Sequence, residues 1–321
     1  MQRREALRIA GFGAAALALE RSAPCLDKHI PVIDGHIHLF DPIRAGGVPW
    51  PEKDDMALYK PALPDRYEAL ARPLGVVGAI AIEASPLASD NQWLLRIAQK
   101  HPVIVGVVGD LVPSSPDFSK ELGALHGSPL FLGIRYGNLW NRDLMIDLEK
   151  PRFVDGLKAL AQSRLVFESA NPDPRLIRAI LSVAERVPDL RIIVDHLPHA
   201  AVSAEGTARD EYWSDLRRLA QNPNVFVKLS EIPVVRDGTL ITDPKFYRAP
   251  LDAIWTVFGE DHVIFGSDWP NSDHVASFAD TFAIVRNYIA EKSPQMQEKY
   301  YWKNSIAAYR WRRRSGDQPS G

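Results

Sequence analysis

Leu165-Val166-Phe167-Glu168, then Asp173-Pro174 on to Val187-Pro188, then Arg191-Ile192-Ile193-Val194-Asp195-His196: this stretch decides the fold. Both short runs are almost continuously apolar until their last residues, as strands covered on both faces must be, whereas half-exposed antiparallel strands alternate. Between them Asp173 is placed to cap a helix, Pro174 suits its first turn and Pro188 stops it. Leu176, Ile177, Ile180, Ala184 and Val187 recur at helical spacing and make its buried stripe. The unit is strand, helix, parallel strand.

Working outward, the same kind of run recurs at Val32–His38, Val76–Glu83, Val103–Val108, Leu130–Arg135, Val225–Lys228 and Val263–Asp268, making eight in all. Eight strand-helix units in a chain of this length fit a single (β/α)8 TIM barrel of the α/β class, a fold that occupies roughly 250 residues as one domain. An open doubly wound sheet is disfavoured, because no glycine-rich phosphate turn follows an early strand. Gly11-Phe12-Gly13 mimics such a turn, but the charged residues before it cannot form a strand.

The chain has 321 residues, 46% of them hydrophobic and 24% charged, which excludes collagen-like, low-complexity and wholly disordered classes. With 38 basic and 40 acidic side chains the net charge is -2, so no overall field attracts nucleic acid or an anionic membrane, and a small-molecule substrate is the expected partner. Oligomeric state is not legible. Cys25 is the lone cysteine, so a metal here needs His and carboxylate ligands.

Residues 1–23 read as a twin-arginine signal peptide: Arg3-Arg4-Glu5-Ala6-Leu7-Arg8 precedes an uncharged run from Ile9 to Leu19, too short to span a bilayer. Periplasmic delivery is the expectation; a cytoplasmic protein with an amphipathic N-terminal tail is the alternative. Residues 24–310 are read as the barrel, and 311–321 as a basic polar tail in solvent. Tyr300, Trp302, Tyr309 and Trp311 are expected to pack a final helix on the barrel.

Seven of the eight runs finish near a polar or ionisable residue, where a barrel of this kind builds its active site. In Asp34-Gly35-His36-Ile37-His38, side chains two apart share a face, so His36 and His38 converge as half of a divalent-metal site or as a non-metal electrophilic pocket, with Asp34 able to orient them. In a closed barrel the eighth strand lies beside the first, which brings Asp268 to the same volume unless it merely caps the next helix.

These residues resemble the amidohydrolase superfamily, specifically the branch of barrel hydrolases that includes sugar-acid lactonases and 2-pyrone-4,6-dicarboxylate lactonase. The carriers are Val-Ile-Asp-Gly-His-Ile-His-Leu-Phe-Asp-Pro at 32–42, Gly-Ile-Arg at 133–135, Val-Asp-His at 194–196, Val-Lys-Leu-Ser at 227–230 and Phe-Gly-Ser-Asp-Trp-Pro at 265–270. The resemblance implies a site of His36, His38, His196 and Asp268, with Asp268 taking the proton from the attacking water and His196 polarising a carbonyl. It implies one divalent metal, zinc or manganese, on His36, His38, Asp268 and Glu168, or metal-independent chemistry. Glu168 reads equally as a ligand or as an acid behind the ligands.

Arg135 and Lys228 are cations aimed at the same rim, suited to a substrate carboxylate or hydroxyls, or to pairing with Glu83 and Glu168. No lysine ends the fourth run, so a binuclear site is not expected. Leu197-Pro198-His199 and Glu83 depart from the usual pattern and alter charge near the substrate. The function these features imply is water attack on a lactone. Metal-dependent decarboxylation is the enzymatic alternative, and an exported small-molecule binding protein the non-catalytic one.

Overall fold

In the computed structural model the described residues are 30–170, 172–199 and 206–321. The signal peptide read at 1–23 lies outside them. Eight parallel strands pair in the order β1 (Val32–His38), β2 (Val76–Ile82), β3 (Ile104–Gly109), β4 (Phe131–Arg135), β5 (Val166–Ser169), β6 (Arg191–Val194), β7 (Val225–Leu229) and, past a short hairpin of β8 (Val235–Arg236) and β9 (Thr239–Leu240), β10 (Val263–Phe265). The expected barrel is present. The helix Pro174–Arg186 begins as its sequence implies: Asp173 accepts a hydrogen bond from Leu176 N at 2.8 Å, and Leu176, Ile177, Ile180 and Ala184 are buried.

The barrel closes through the residues after β10, not through that strand itself. Asp268 N donates to His36 O at 2.9 Å and His38 N donates to Trp269 O at 2.7 Å. Two glycines permit this seam: a Cβ on Gly35 would stand 2.7 Å from Phe265 O, and one on Gly266 would stand 2.9 Å from His36 Cβ. Asp34 fastens it, accepting from Ser267 N (2.9 Å), His36 N (3.1 Å) and Tyr67 Oη (2.9 Å). Asp34 therefore orients the backbone on both sides of the seam rather than the imidazoles.

Apolar side chains form two cores, one between strands and helices and one inside the barrel around Ile33, Ile80, Val105, Leu132, Ile193 and Ile264. Residues 311–321, read as a solvated tail, instead close the bottom of the barrel. Trp311 and Gln318 are buried. The Arg314 guanidinium donates to the carbonyls of Ala98, Gln99, His101 and Ile104, and Gln318 Nε2 donates to Val77 O and Pro102 O. Carbonyls near the starts of β2 and β3 need donors once covered, and a guanidinium supplies five, so the basic run is structural.

Candidate active site

The candidate catalytic, binding and metal-ligating residues lie at the opposite end, where the strands finish. His36 and His38 stand on β1, Arg135 ends β4, Glu168 is on β5, Lys228 is on β7, His196 follows β6 and Asp268 follows β10; all are buried. His196 and Asp268 sit at φ 52° and 59°, a left-handed conformation that costs a non-glycine residue roughly 1–2 kcal/mol. The strained backbone turns both side chains into the barrel mouth instead of continuing the strands.

Three imidazoles and one carboxylate oxygen converge there. Asp268 Oδ1 is 3.4 Å from His36 Nε2, 3.3 Å from His38 Nε2 and 3.9 Å from His196 Nε2, yet it is buried and accepts no hydrogen bond. Asp268 Oδ2 is held by Asn271 Nδ2 at 2.7 Å. His38 donates from Nδ1 to Ile82 O (3.1 Å), which leaves Nε2 as an acceptor facing His36 Nε2 at 3.2 Å, and His196 Nδ1 meets Ser230 Oγ at 2.8 Å. Burial above all holds the three imidazoles low: His36, with Lys228 adding to it, and His196, with His36 and Arg135 adding to it, lie well below the ordinary histidine range, and His38, with Arg135 adding to it, lies at about 4. Burial pushes the Asp268 carboxyl up to about 6, against the hydrogen bond that Asn271 donates to it. Near neutral pH the site thus holds uncharged imidazoles around an ionised carboxylate.

The cations behave differently. Arg135 donates to Glu83 Oε1 (2.8 Å) and Glu83 O (2.7 Å), while Lys228 donates to Glu168 Oε1 (2.5 Å) and lies 3.1 Å from Asp195 Oδ1. Both are committed to buried ion pairs. Glu168 receives Tyr309 Oη on its other oxygen at 2.6 Å, and burial with the neighbouring Asp195 raises its carboxyl against the pull of Lys228.

An orphaned carboxylate oxygen surrounded by imidazole Nε2 atoms is a donor set that a divalent cation can take. Among the described residues three groups have ligand atoms within 4.8 Å of one another: His36, His38 and Asp268; His36, Asp195 and His196; and His196, Glu231 and Asp268. Glu168, read as a ligand or as an acid behind the ligands, belongs to none of them; Lys228 and Tyr309 donate to its two oxygens.

Sequence reasoning missed Asp195, Glu231, Asn271 and Tyr309. Asp195 was in view beside His196, and a charged residue ending a buried strand was its signal. Glu231 follows β7 at φ 51° and, with Asn271 and Pro233, lines the cleft that leads to Asp268. Asn271 and Tyr309 carry no local signal, since their partners are fixed by a turn and by the closing segment.

Comparison with known proteins agrees with this geometry. A family model described as amidohydrolase matches residues 33–311. An L-fucono-1,5-lactonase of Burkholderia ambifaria is 30% identical over 278 residues, covering 84% of this chain and 92% of that protein. A crystal structure of an amidohydrolase from Burkholderia multivorans with bound zinc superposes with a TM-score of 0.76 at 23% identity, covering 88% of this chain and all of that one. A 5-carboxyvanillate decarboxylase from Novosphingobium aromaticivorans, complexed with manganese, shares the fold at a TM-score of 0.65 and 15% identity, covering 88% of this chain and 97% of that one. The chain belongs to the amidohydrolase family and is a hydrolase of that type.

Proposed function

We propose that this protein opens the ring of an uncharged sugar lactone, with Asp268 as the base that takes a proton from the attacking water. The observation that carries the reading is Asp268 Oδ1, buried and without a hydrogen-bond donor, among three imidazole Nε2 atoms. A carboxyl poised at about 6 is mostly ionised at neutral pH and still basic enough to accept a proton, which general base catalysis requires.

Water adds to the lactone carbonyl as Asp268 removes its proton. Ser230 Oγ–H, donating to His196 Nδ1, leaves the His196 proton on Nε2, where it bonds to the developing oxyanion. Collapse breaks the ring C–O bond, and the leaving alkoxide takes the proton from Asp268, giving the open hydroxy acid. A divalent ion such as zinc or manganese, held by His36, His38 and Asp268, supplies Lewis-acid polarisation when bound. As the side chains stand, Lys228 donates to His36 Nδ1 at 3.0 Å; for His36 to offer Nε2 to an ion, that bond would give way and the ring proton would move to Nδ1, toward Asp195 Oδ1 at 3.5 Å and Glu168 Oε1 at 3.7 Å.

Charge supports the uncharged substrate. Arg135 and Lys228, the cations read as a grip for a substrate carboxylate or as ion-pair partners, are neutralised inside ion pairs, and Arg142 is paired with Asp110. A carboxylated ring would bring a second negative charge toward Asp268 and Glu231. The same commitment weighs against decarboxylation, which needs that grip.

The test is kcat/KM for aldono-1,5-lactones, for uronic-acid lactones of the same ring size and for 2-pyrone-4,6-dicarboxylate. The neutral lactones should lead by about tenfold or more, the scale of one unfavourable charge in a partly buried site. Preference for a carboxylated lactone would sink the charge argument; carbon dioxide release from an aromatic acid with no lactone opened would sink the hydrolase reading.

We also propose export through the folded-protein route, supported by Arg3-Arg4 and the uncharged run after Arg8. Changing both arginines to lysine should keep the protein in the cytoplasm; normal periplasmic yield from that variant would remove the proposal.

A further inference from the structure

The end of the chain runs beneath the barrel and also touches the site above. Asn304 Nδ2 donates to Glu260 O and Val263 O where β10 begins, and Arg191 at the start of β6 donates to Ala308 O. Ala308, Tyr309 and Trp311 pack with the apolar side chains inside the barrel. From this floor Tyr309 reaches up to the charged groups at the mouth. Its hydroxyl donates to Glu168 Oε2 at 2.6 Å, and its ring centre lies 5.5 Å from Lys228 Nζ, within cation–π range.

Lys228 links this pair to the reacting centre. Its ammonium has only donors, and it bonds Glu168 Oε1 at 2.5 Å and His36 Nδ1 at 3.0 Å. A neutral His36 that accepts at Nδ1 carries its own proton on Nε2, facing His38 Nε2 at 3.2 Å. That atom can accept, because His38 donates from Nδ1 to Ile82 O. The donors and acceptors thus form one consistent chain: Tyr309 and Lys228 give to Glu168, Lys228 gives to His36, His36 to His38, and His38 to the backbone.

We propose that Tyr309 is a positioning residue: by holding Glu168 through its hydroxyl and Lys228 over its ring face, it sets whether the His36 Nε2 that faces Asp268 carries the ring proton. The floor of this barrel, normally a matter of stability alone, therefore reaches into the chemistry. The importance of His36 and Asp268 rests on the reaction proposed above; the Tyr309 linkage itself does not, so it is read out without substrate.

Tyr309→Phe keeps the ring and removes the hydroxyl. In the full chain as purified, labelled with 15N-histidine, the His36 ring resonances should shift while those of His262, bound to Val225 O at 2.9 Å, stay in place. With the best lactone, kcat should fall about tenfold and KM should change by less than about twofold, as expected when a supporting hydrogen bond behind a site residue is lost. Trp311→Phe is the control: it removes a floor hydrogen bond, Trp311 Nε1 to Ser305 Oγ at 3.0 Å, without touching Glu168, and should leave the His36 resonances and kcat unchanged. Unmoved His36 resonances in Tyr309→Phe, or an equal shift in Trp311→Phe, would overturn the proposal. Should Tyr309→Phe fail to fold, Glu168→Gln loosens the same linkage, and an unmoved His36 signal there overturns it equally.

Discussion

Two groups of charged side chains share the mouth of this barrel, and the fold treats them oppositely. On the side of β2, β4, β5 and β7, Arg135 is closed on Glu83, and Lys228 on Glu168 with Tyr309 behind it. On the side of β1 and the turn after β10, Asp268 Oδ1 has three imidazoles around it and no hydrogen bond. Desolvation is costly for both groups. The first offsets it internally and becomes a fixed electrostatic frame. The second leaves it uncompensated, which is what a group waiting for a ligand or a proton looks like.

The contrast breaks most easily on the closed side. Lys228→Met deletes the cation from the Glu168 and Asp195 carboxylates and should destabilise the protein by about 3–5 kcal/mol in urea unfolding, the cost of leaving a buried charge unpaired. Asp268→Asn should fold at least as stably as the wild type at pH 7. Equal losses in both variants would erase the distinction between frame and site.

A smaller effect sharpens the open side. Since the Asp268 carboxyl lies at about 6 and must be ionised to accept a proton, kcat/KM should fall about tenfold per pH unit below about 6 and level off above it. The stability effect has the opposite sign. A carboxyl raised by burial favours the folded state while protonated, so that contribution is complete below its ordinary 3.8 and is lost as pH rises through about 6. The wild type should therefore lose ground to Asp268→Asn in unfolding experiments across that interval. A flat rate profile through pH 6 would contradict the assignment.

Sequence and structure agree where information is local. The β-strand runs, the capped helix at Asp173 and the pairing of His36 with His38 follow from periodicity and spacing, which neighbouring residues determine. Asp268 was legible because closure of a barrel dictates that the last strand meets the first. What escaped was set by distant contacts. Residues 311–321 look like a solvated tail by composition, yet their arginine and glutamine donors are matched to carbonyls more than two hundred residues away. Glu168 at a strand end has the right chemistry for a ligand, and only the arrival of Lys228 and Tyr309 on its two oxygens shows that it is occupied. Arg135 and Lys228 point at the rim as read, and of the two roles read for them, pairing with Glu83 and Glu168 is the one that the structure shows.

The most direct measurement is turnover of the best neutral lactone by Asp268→Asn, made alongside its unfolding curve. Asparagine keeps the shape and can still meet Asn271, but it has no basic carboxylate. The expected result is a loss of at least about 100-fold in kcat from a fully folded protein, the scale of general base catalysis. Turnover near the wild-type rate would contradict the central claim and send the search for the base to Asp195 or Glu231.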